Sequence, residues 1–554
     1  MVGDMQRVVV IGIAALVVAV GCGPPGSPAI VRSRPSATST STPSGTLPTA
    51  TGTETSPSTL PSTSVPTVDE VISRSASVGD RRYPELGSAD IDVADYFVKF
   101  SYEPDGHRLS GSVTARGSFR AATDRISFDA DELSIHDVSV NGHETEFANT
   151  DRELTISLAA VMPLGSLFET VVEFESVALD GEWSPDAAGL FASDGGTWAV
   201  NEPNGTSTWL PISDHPTDKA TWTFEIVVPN GLEAITNGEL VDSHPNADGS
   251  TTWRWEQTEP MASYLITMLI GEYDMVDAGI SESGVTLNHV VLSDRRDSLD
   301  AYLDVTDQQL TFFADLFGQY PFDRYGVAIT DSIPSLAMET QGLSLFSASD
   351  LDGSLGYAQH MLLAHELAHQ WFGDAVSPAT WDDIWLNEGF ATYAQWLWAD
   401  HVGLDQLDSF AEGTLAALPA FGWPLSQPDQ LFGQVAYDGG AVALHALRRT
   451  IGDEAFFAGL QQWVATYLDS SASTDEFHAV MELVSDLDLD EFFETWVHAS
   501  KFPDAFPDAF PDVLPDVLPD RSVSEHGIDD STPETAAMPR SFLNLVGPNR
   551  PGPR

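Results

Sequence analysis

The stretch His365-Glu366-Leu367-Ala368-His369 lies in an apolar run, with Met361-Leu362-Leu363-Ala364 before it and Gln370-Trp371-Phe372 after it. In a helical run, positions four apart stack on one face. The His365 and His369 imidazoles then reach a single ion, while Glu366 beside them can hold a water. By itself the five-residue pattern also fits two core histidines beside a helix-surface glutamate.

A catalytic zinc takes three protein ligands and keeps one position open. Glu388 is the candidate third ligand. Eighteen residues separate it from His369. That is enough to finish one helix, turn through Ser377-Pro378-Ala379 and begin another at Asn387-Glu388-Gly389-Phe390-Ala391-Thr392-Tyr393, so that two antiparallel helices point their ligands at each other. The neighbourhood holds no cysteine and no glycine-rich phosphate loop. Two imidazoles and a carboxylate favour zinc, one ion per chain, over other metals.

Around this centre the 554 residues give length for about three or four domains. Lys+Arg 24 against Asp+Glu 83 makes a formal net charge of -59, and lysine occurs only at Lys99, Lys219 and Lys501. Such a surface repels phosphates and anionic headgroups, which argues against nucleic acid as a partner. It stays soluble at high ionic strength, where screening mutes self-repulsion, so a saline habitat is one expectation and a generally acidic secreted proteome another.

Cys22 is the only cysteine, which excludes internal disulfides and cysteine metal sites. It follows Gly21 and an apolar or small run at 8–20, the layout of an export signal and too short to span a bilayer. Because Ala19-Val20-Gly21-Cys22 resembles the lipobox of bacterial lipoproteins, residues 1–22 are read as a lipoprotein-type signal. Cys22 is then the lipidated first residue of the mature protein, anchored by acyl chains on the extracellular face of a bacterial membrane, with plain secretion as the alternative. Asp4 is out of place in a positive n-region, which points to Met5 as the start.

Residues 23–80, dominated by Ser, Thr and Pro as in Ser36-Ala37-Thr38-Ser39-Thr40-Ser41-Thr42-Pro43, cannot form a core and are expected to be a flexible tether or glycosylated stalk. Over 81–280, alternating runs such as Tyr96-Phe97-Val98-Lys99-Phe100 and Thr221-Trp222-Thr223-Phe224-Glu225-Ile226-Val227-Val228 predict strands. Turns at Asn141-Gly142, Pro229-Asn230-Gly231 and Asp248-Gly249 complete an all-β domain of sandwich or saddle form. Across 281–500 the period becomes helical, and Leu303, Val305, Leu310, Phe313 and Leu316 share one broad face of the first helix. From 501 to 554 the repeat begun by Phe502-Pro503-Asp504-Ala505 places proline at every fourth residue up to Pro519. Helix and sheet ladders are thereby excluded, and the tail is expected to be disordered, or a ladder of Phe and Leu for a partner.

His365 through Asp374 and Trp385 through Ala391 resemble the aminopeptidase N family of gluzincin zinc metallopeptidases, in a short bacterial form without the large C-terminal helical domain. The resemblance runs from about Ser88 to Ser500. It implies an α+β multidomain fold, with an N-terminal all-β saddle or sandwich domain followed by a mostly helical, thermolysin-like catalytic domain. It also implies an aminopeptidase acting on peptides with a free N-terminus. Leu336-Ala337-Met338-Glu339-Thr340 is similar to the family's Gly-Ala-Met-Glu-Asn strand. This implies that Glu339 binds the substrate's α-ammonium and that Ala337 and Met338 line the substrate. Glu202, with Trp209-Leu210-Pro211-Ile212-Ser213-Asp214-His215-Pro216, resembles the loop that brings a second acid to that ammonium. Tyr437, in Val435-Ala436-Tyr437-Asp438-Gly439-Gly440-Ala441, resembles the tyrosine that stabilises the tetrahedral intermediate.

Leu336 and Thr340 depart from the family strand, and Gly439 stands where a lysine is common. The missing domain implies a less enclosed cleft, open to longer peptides. Two rivals share parts of this reading. A thermolysin-like endopeptidase needs the metal triad and Glu366 but neither Glu339 nor Glu202, and a non-catalytic surface binding protein needs none of them.

Overall fold

Period-two alternation builds the first half of the molecule. In the computed structural model, which describes residues 77–150, 152–180, 188–193, 196–298, 300–331, 336–351, 355–418 and 422–508, the strand Ala220–Pro229 turns Ala220, Trp222, Phe224, Ile226 and Val228 inward. It lies near the middle of an eight-stranded sheet. The order there is Glu239–Pro245, Ser250–Met261, Ala220–Pro229, Ile91–Glu103, Arg108–Phe119, Leu167–Val177, Ser134–Val140, His143–Glu144. Ile91–Glu103 and Ala220–Pro229 run parallel, while their other neighbours are antiparallel. A five-stranded sheet running from Glu233–Thr236 to Leu179–Asp180 and a three-stranded one around Glu153–Met162 pack their apolar sides against the large sheet in one core.

The second half is mostly helical, as expected, and the chain as a whole is α+β; the helices share this half with a six-stranded sheet and pack into a core of their own. Helices α1 (Asp300–Phe317), α2 (Tyr357–Ala368), α3 (Trp385–His401), α4 (Leu407–Ala417), α5 (Gly440–Ile451), α6 (Asp453–Tyr467), α7 (Thr474–Ser485) and α8 (Asp490–Trp496) surround the metal motif. On α1 the predicted face holds at Val305, Leu310, Phe313 and Leu316, all buried, while the Leu303 side chain is outside the described set. Beneath α2 and α3, the Phe372 and Phe390 rings stack 4.3 Å apart, and Phe477 meets Phe390 edge-on at 5.4 Å. Such pairs add about 0.5–1.5 kcal/mol each beyond the area they bury, which makes a stiff floor for the site.

The structure redraws three sequence boundaries. Tyr273–Ile280, expected in the β domain, pairs with Thr286–Leu292 in the sheet of the second half, so the change of domain falls just after Gly271. Alternation shows that a segment is a strand but not which sheet it joins. The tether does not extend to residue 80. Asp80 is buried and accepts from the backbone N–H of Trp381 at 2.7 Å and from that of Arg82 at 2.6 Å, and Arg81 pairs with Asp382. Finally, the first two phenylalanines of the proline repeat, Phe502 and Phe506, are docked half-buried against the helical core. Proline forbids ladder pairing but not side-chain docking. Residues 1–76, with Cys22 and most of the tether, and the rest of the tail from 509 lie outside the described residues. No helix among the described residues is long and apolar enough to cross a membrane.

Candidate metal centre

Helix α2 starts where Gln359 Oε1 accepts from the Gly356 N–H at 3.2 Å, and it runs through buried Met361, Leu362, Leu363 and Ala364. Its last turn carries His365 and Glu366. His369 sits at the cap, still in helical conformation. Gly373, at φ 127°, then turns the chain back, and the Asp374 N–H donates to the His369 carbonyl at 3.0 Å. Ser377 and Pro378, expected in a turn, belong instead to a short strand, Val376–Pro378, paired in parallel with Ser470–Ala472. Its partner lies about ninety residues away, beyond the reach of local turn chemistry.

Helix α3 then brings Glu388 to the histidines. Glu388 Oε2 lies 3.2 Å from His365 Nε2 and 3.5 Å from His369 Nε2, and all three side chains are buried. Metal–ligand bonds of about 2.0–2.1 Å at tetrahedral angles put neighbouring ligand atoms about 3.3 Å apart, so the donor set fits a zinc ion. The tautomer of His369 fits as well. His369 Nδ1–H donates to the Phe372 carbonyl at 3.1 Å, which leaves Nε2 facing Glu388. Gln395 of α3 lies beside the His365 ring, with its amide nitrogen donating to the Met361 carbonyl at 3.1 Å.

Charge points the same way. Burial works against the imidazolium of His369, yet Glu339 first, then Glu388 and Glu366, lift its pKa to about 10. Burial also opposes ionisation of Glu388, but hydrogen bonds from His365 and His369 hold it at about 2. A cavity this negative favours a cation.

The remaining predicted residues converge here. Burial, opposed by His369 and reinforced by Glu339 and Glu388, pushes the Glu366 carboxyl well above its usual range. Single ligand atoms of Glu339, Glu366 and His369 lie within 4.8 Å of one another. Glu339 follows the two-residue strand Ala337–Met338, which pairs antiparallel with Ser344–Ser347 at the end of its sheet. Gln370 ties that strand end to the metal helix, because its amide donates to the Glu339 carbonyl at 3.0 Å and its oxygen accepts from the Gly342 N–H at 2.7 Å. Leu336, in place of the family glycine, is buried in the β-domain core, and the Thr340 hydroxyl donates to the Leu343 carbonyl. Met338 is buried in that same core, so only its backbone is placed to meet a ligand.

Glu202 arrives on a loop braced by Asn201, whose amide donates to the Ile266 carbonyl at 2.7 Å and whose oxygen accepts from Trp209 Nε1 at 3.0 Å. Asp214 accepts from the Ser207 N–H and the Ser263 hydroxyl, so the segment resembling the family loop acts as a brace behind Glu202. Burial, then the charge of Glu339, pushes the Glu202 carboxyl well up. Oε1 of Glu202 and Oε1 of Glu339 are both buried without a hydrogen-bond partner.

Tyr437 occupies a π-helical turn, Val435–Gly439, leading into α5. Its ring lies parallel to that of His365 at 5.9 Å, and its hydroxyl hydrogen-bonds Glu388. The turn comes this close because Gly389 of α3 meets Gly440 of α5, where a Cβ on Gly389 would stand 2.7 Å from the Gly440 Cα. Gln370 and Gln395 were missed by sequence reasoning. Gln395 was within reach, since it lies seven residues on from Glu388 and so on the same face of α3. Among the described residues His478, Glu482 and Asp490 form a further cluster, but they are partly exposed.

Comparison with known proteins bears on the fold and the family. The peptidase family M1 domain matches residues 301–418 and 423–496, and the peptidase M1 N-terminal domain matches 93–265. The crystal structure of an M1 zinc metallopeptidase from Deinococcus radiodurans superposes with a TM-score of 0.71 at 29% identity, covering 78% of this chain and 100% of that one. A variant of that protein was solved bound to a Tyr-Ser-Ala substrate. Aminopeptidase M1-C of Oryza sativa subsp. japonica is 28% identical, over 53% of this chain and 36% of its own length. Glutamyl aminopeptidase of Bos taurus is 27% identical, over 55% and 34%. The chain thus spans about a third of the length of these curated relatives. With both halves matched in order and the triad assembled, the chain belongs to peptidase family M1.

Proposed function

We propose that the chain is a zinc-dependent aminopeptidase, with one zinc ion held by His365, His369 and Glu388. A zinc ion there supplies Lewis-acid activation of water and of the scissile carbonyl. Glu366 takes the proton from the attacking water and returns it to the leaving amine, a double task that suits a carboxyl whose pKa is raised by burial. Tyr437 donates to the carbonyl oxygen as negative charge develops on it. Burial, then the charge of Glu388, keeps the hydroxyl protonated by raising its pKa well above the phenol range. Ala337–Met338, the last strand of its sheet, offers the backbone groups of its outer edge to an extended peptide.

The observation that carries the exopeptidase reading is the pair of buried, unpartnered oxygens on Glu339 and Glu202 beside the triad. An ammonium group with its three donors satisfies them, whereas a mid-chain peptide offers no such group. The test compares an alanyl anilide with its N-acetylated form. The free amine is expected to be hydrolysed about 100-fold faster or more, as charge-assisted hydrogen bonds in a buried site require. Equal rates would favour the endopeptidase reading. Full zinc occupancy with no cleavage of either would favour a binding protein.

Lipidation of Cys22 and display on the outer face of the membrane are proposed from the sequence at 8–22. Expressed with an azido-palmitate label, the wild type is expected to take up label and partition with membranes. Cys22→Ser is expected to do neither. Unlabelled, soluble wild type would instead indicate simple secretion.

A further inference from the structure

The turn that carries Tyr437 is clamped on two sides. On one, Gly440 lies against Gly389 of the helix that bears Glu388. On the other, the Phe502 ring of the proline repeat covers Gly439, where a Cβ would stand 3.0 Å from Phe502 Cζ and 3.1 Å from Cε2. A Cβ at 439 would press on the tip of that ring and require it to give by a few tenths of an ångström. The tail is itself fixed in place. Phe502 packs 6.1 Å from the buried Trp496 of α8, and Phe506 stacks on the same indole at 5.7 Å with rings 6° from parallel. Phe506 also meets His445 edge-on at 4.8 Å and lies under the Arg449 guanidinium at 5.8 Å, both side chains belonging to α5.

We infer that the first two units of the Phe-Pro-Asp repeat form a strap on the catalytic domain, with Phe502 a positioning residue that holds the Tyr437 turn at the metal centre through Gly439. This inference rests on the aminopeptidase reading, since it gives Phe502 no contact with substrate and lets it act only through Tyr437. A single π turn has few internal restraints, so its tyrosine is aimed by what packs on its two ends. Removing the ring from one end leaves the Gly389–Gly440 contact as a hinge. Pro503, between the two phenylalanines, and Pro507, directly after the second, restrict the backbone of the strap, which lowers the entropy lost on docking.

The experiment uses the full chain and an aminoacyl anilide, with zinc content measured for every variant. Phe502→Ala is expected to lower kcat about tenfold, as misplacement of a catalytic donor does, while KM and zinc content stay near wild type. Phe502→Leu, which keeps an apolar body over Gly439, is expected to restore most of the rate. Gly439→Ala, which crowds the ring and shifts it by a few tenths of an ångström without removing it, is expected to lower kcat in the same direction but by less than Phe502→Ala does, and it carries the test if that variant fails to fold. In a Tyr437→Phe background, Phe502→Ala is expected to have no further effect. Unchanged kcat in both Phe502→Ala and Gly439→Ala would overturn the strap, and so would effects of Phe502→Ala and Tyr437→Phe that multiply. Zinc-loaded wild type without any turnover would instead defeat the aminopeptidase reading.

Discussion

Replacing Glu366 by glutamine is expected to lower kcat by about 10³–10⁴, the upper part of the range for general acid–base catalysis, because one side chain serves both proton transfers. Glutamine keeps the size and the hydrogen-bonding reach of the side chain but cannot take a proton. Glu366 is buried beside His369 and Glu339. No other carboxylate stands in its place on α2, since the residue one turn earlier is Leu362 and the next one on is Gln370. Zinc content and KM are expected to stay close to wild type, because Glu366 is not among the three residues placed to bind the ion. Steady-state rates on an aminoacyl anilide, with metal analysis of the same sample, check this. A variant that turns over at more than about a tenth of the wild-type rate would remove Glu366 from the role of base.

Glu388→Ala is the second large effect. It leaves two imidazoles whose remaining neighbours are the acids Glu339 and Glu366, and a catalytic zinc site takes three protein ligands. Loss of residues that merely orient ligands costs about 10–100-fold in metal affinity, so loss of the ligand itself is expected to exceed about 100-fold and to bring activity to background. The fold should survive, because the Glu388 helix is held by the Phe372–Phe390 stack and by Gln395 donating to the Met361 carbonyl. Activity at saturating zinc distinguishes weakened binding from damaged chemistry. Recovery at high zinc fits lost affinity, and an unchanged rate at trace zinc would exclude Glu388 as a ligand.

The centre of the site was legible because its physics is local. His365 and His369 are one helical turn apart, Glu388 follows within a short segment, and both helices announce themselves by period. Glu339 and Glu202 were legible only through resemblance, since nothing near either marks a lone carboxylate as more than surface. What escaped was set by distant partners. The backbone of Ser377 and Pro378 is a strand only because Ser470–Ala472 lies beside it. Asp80 is anchored by the backbone of Trp381, some three hundred residues on. Phe502 and Phe506 looked like part of a disordered repeat because proline spacing reports on the backbone alone, whereas their place is decided by Trp496, Gly439 and His445. The departure at Gly439 from the family's lysine was visible in the sequence. Its physical sense appeared only once the ring was seen against it.

The most direct measurement is calorimetric titration of zinc into metal-free wild type and Glu388→Ala. The wild type is expected to bind about one equivalent, with affinity more than about 100-fold above that of the variant. Superimposable isotherms from the two proteins would contradict a zinc ion held by Glu388.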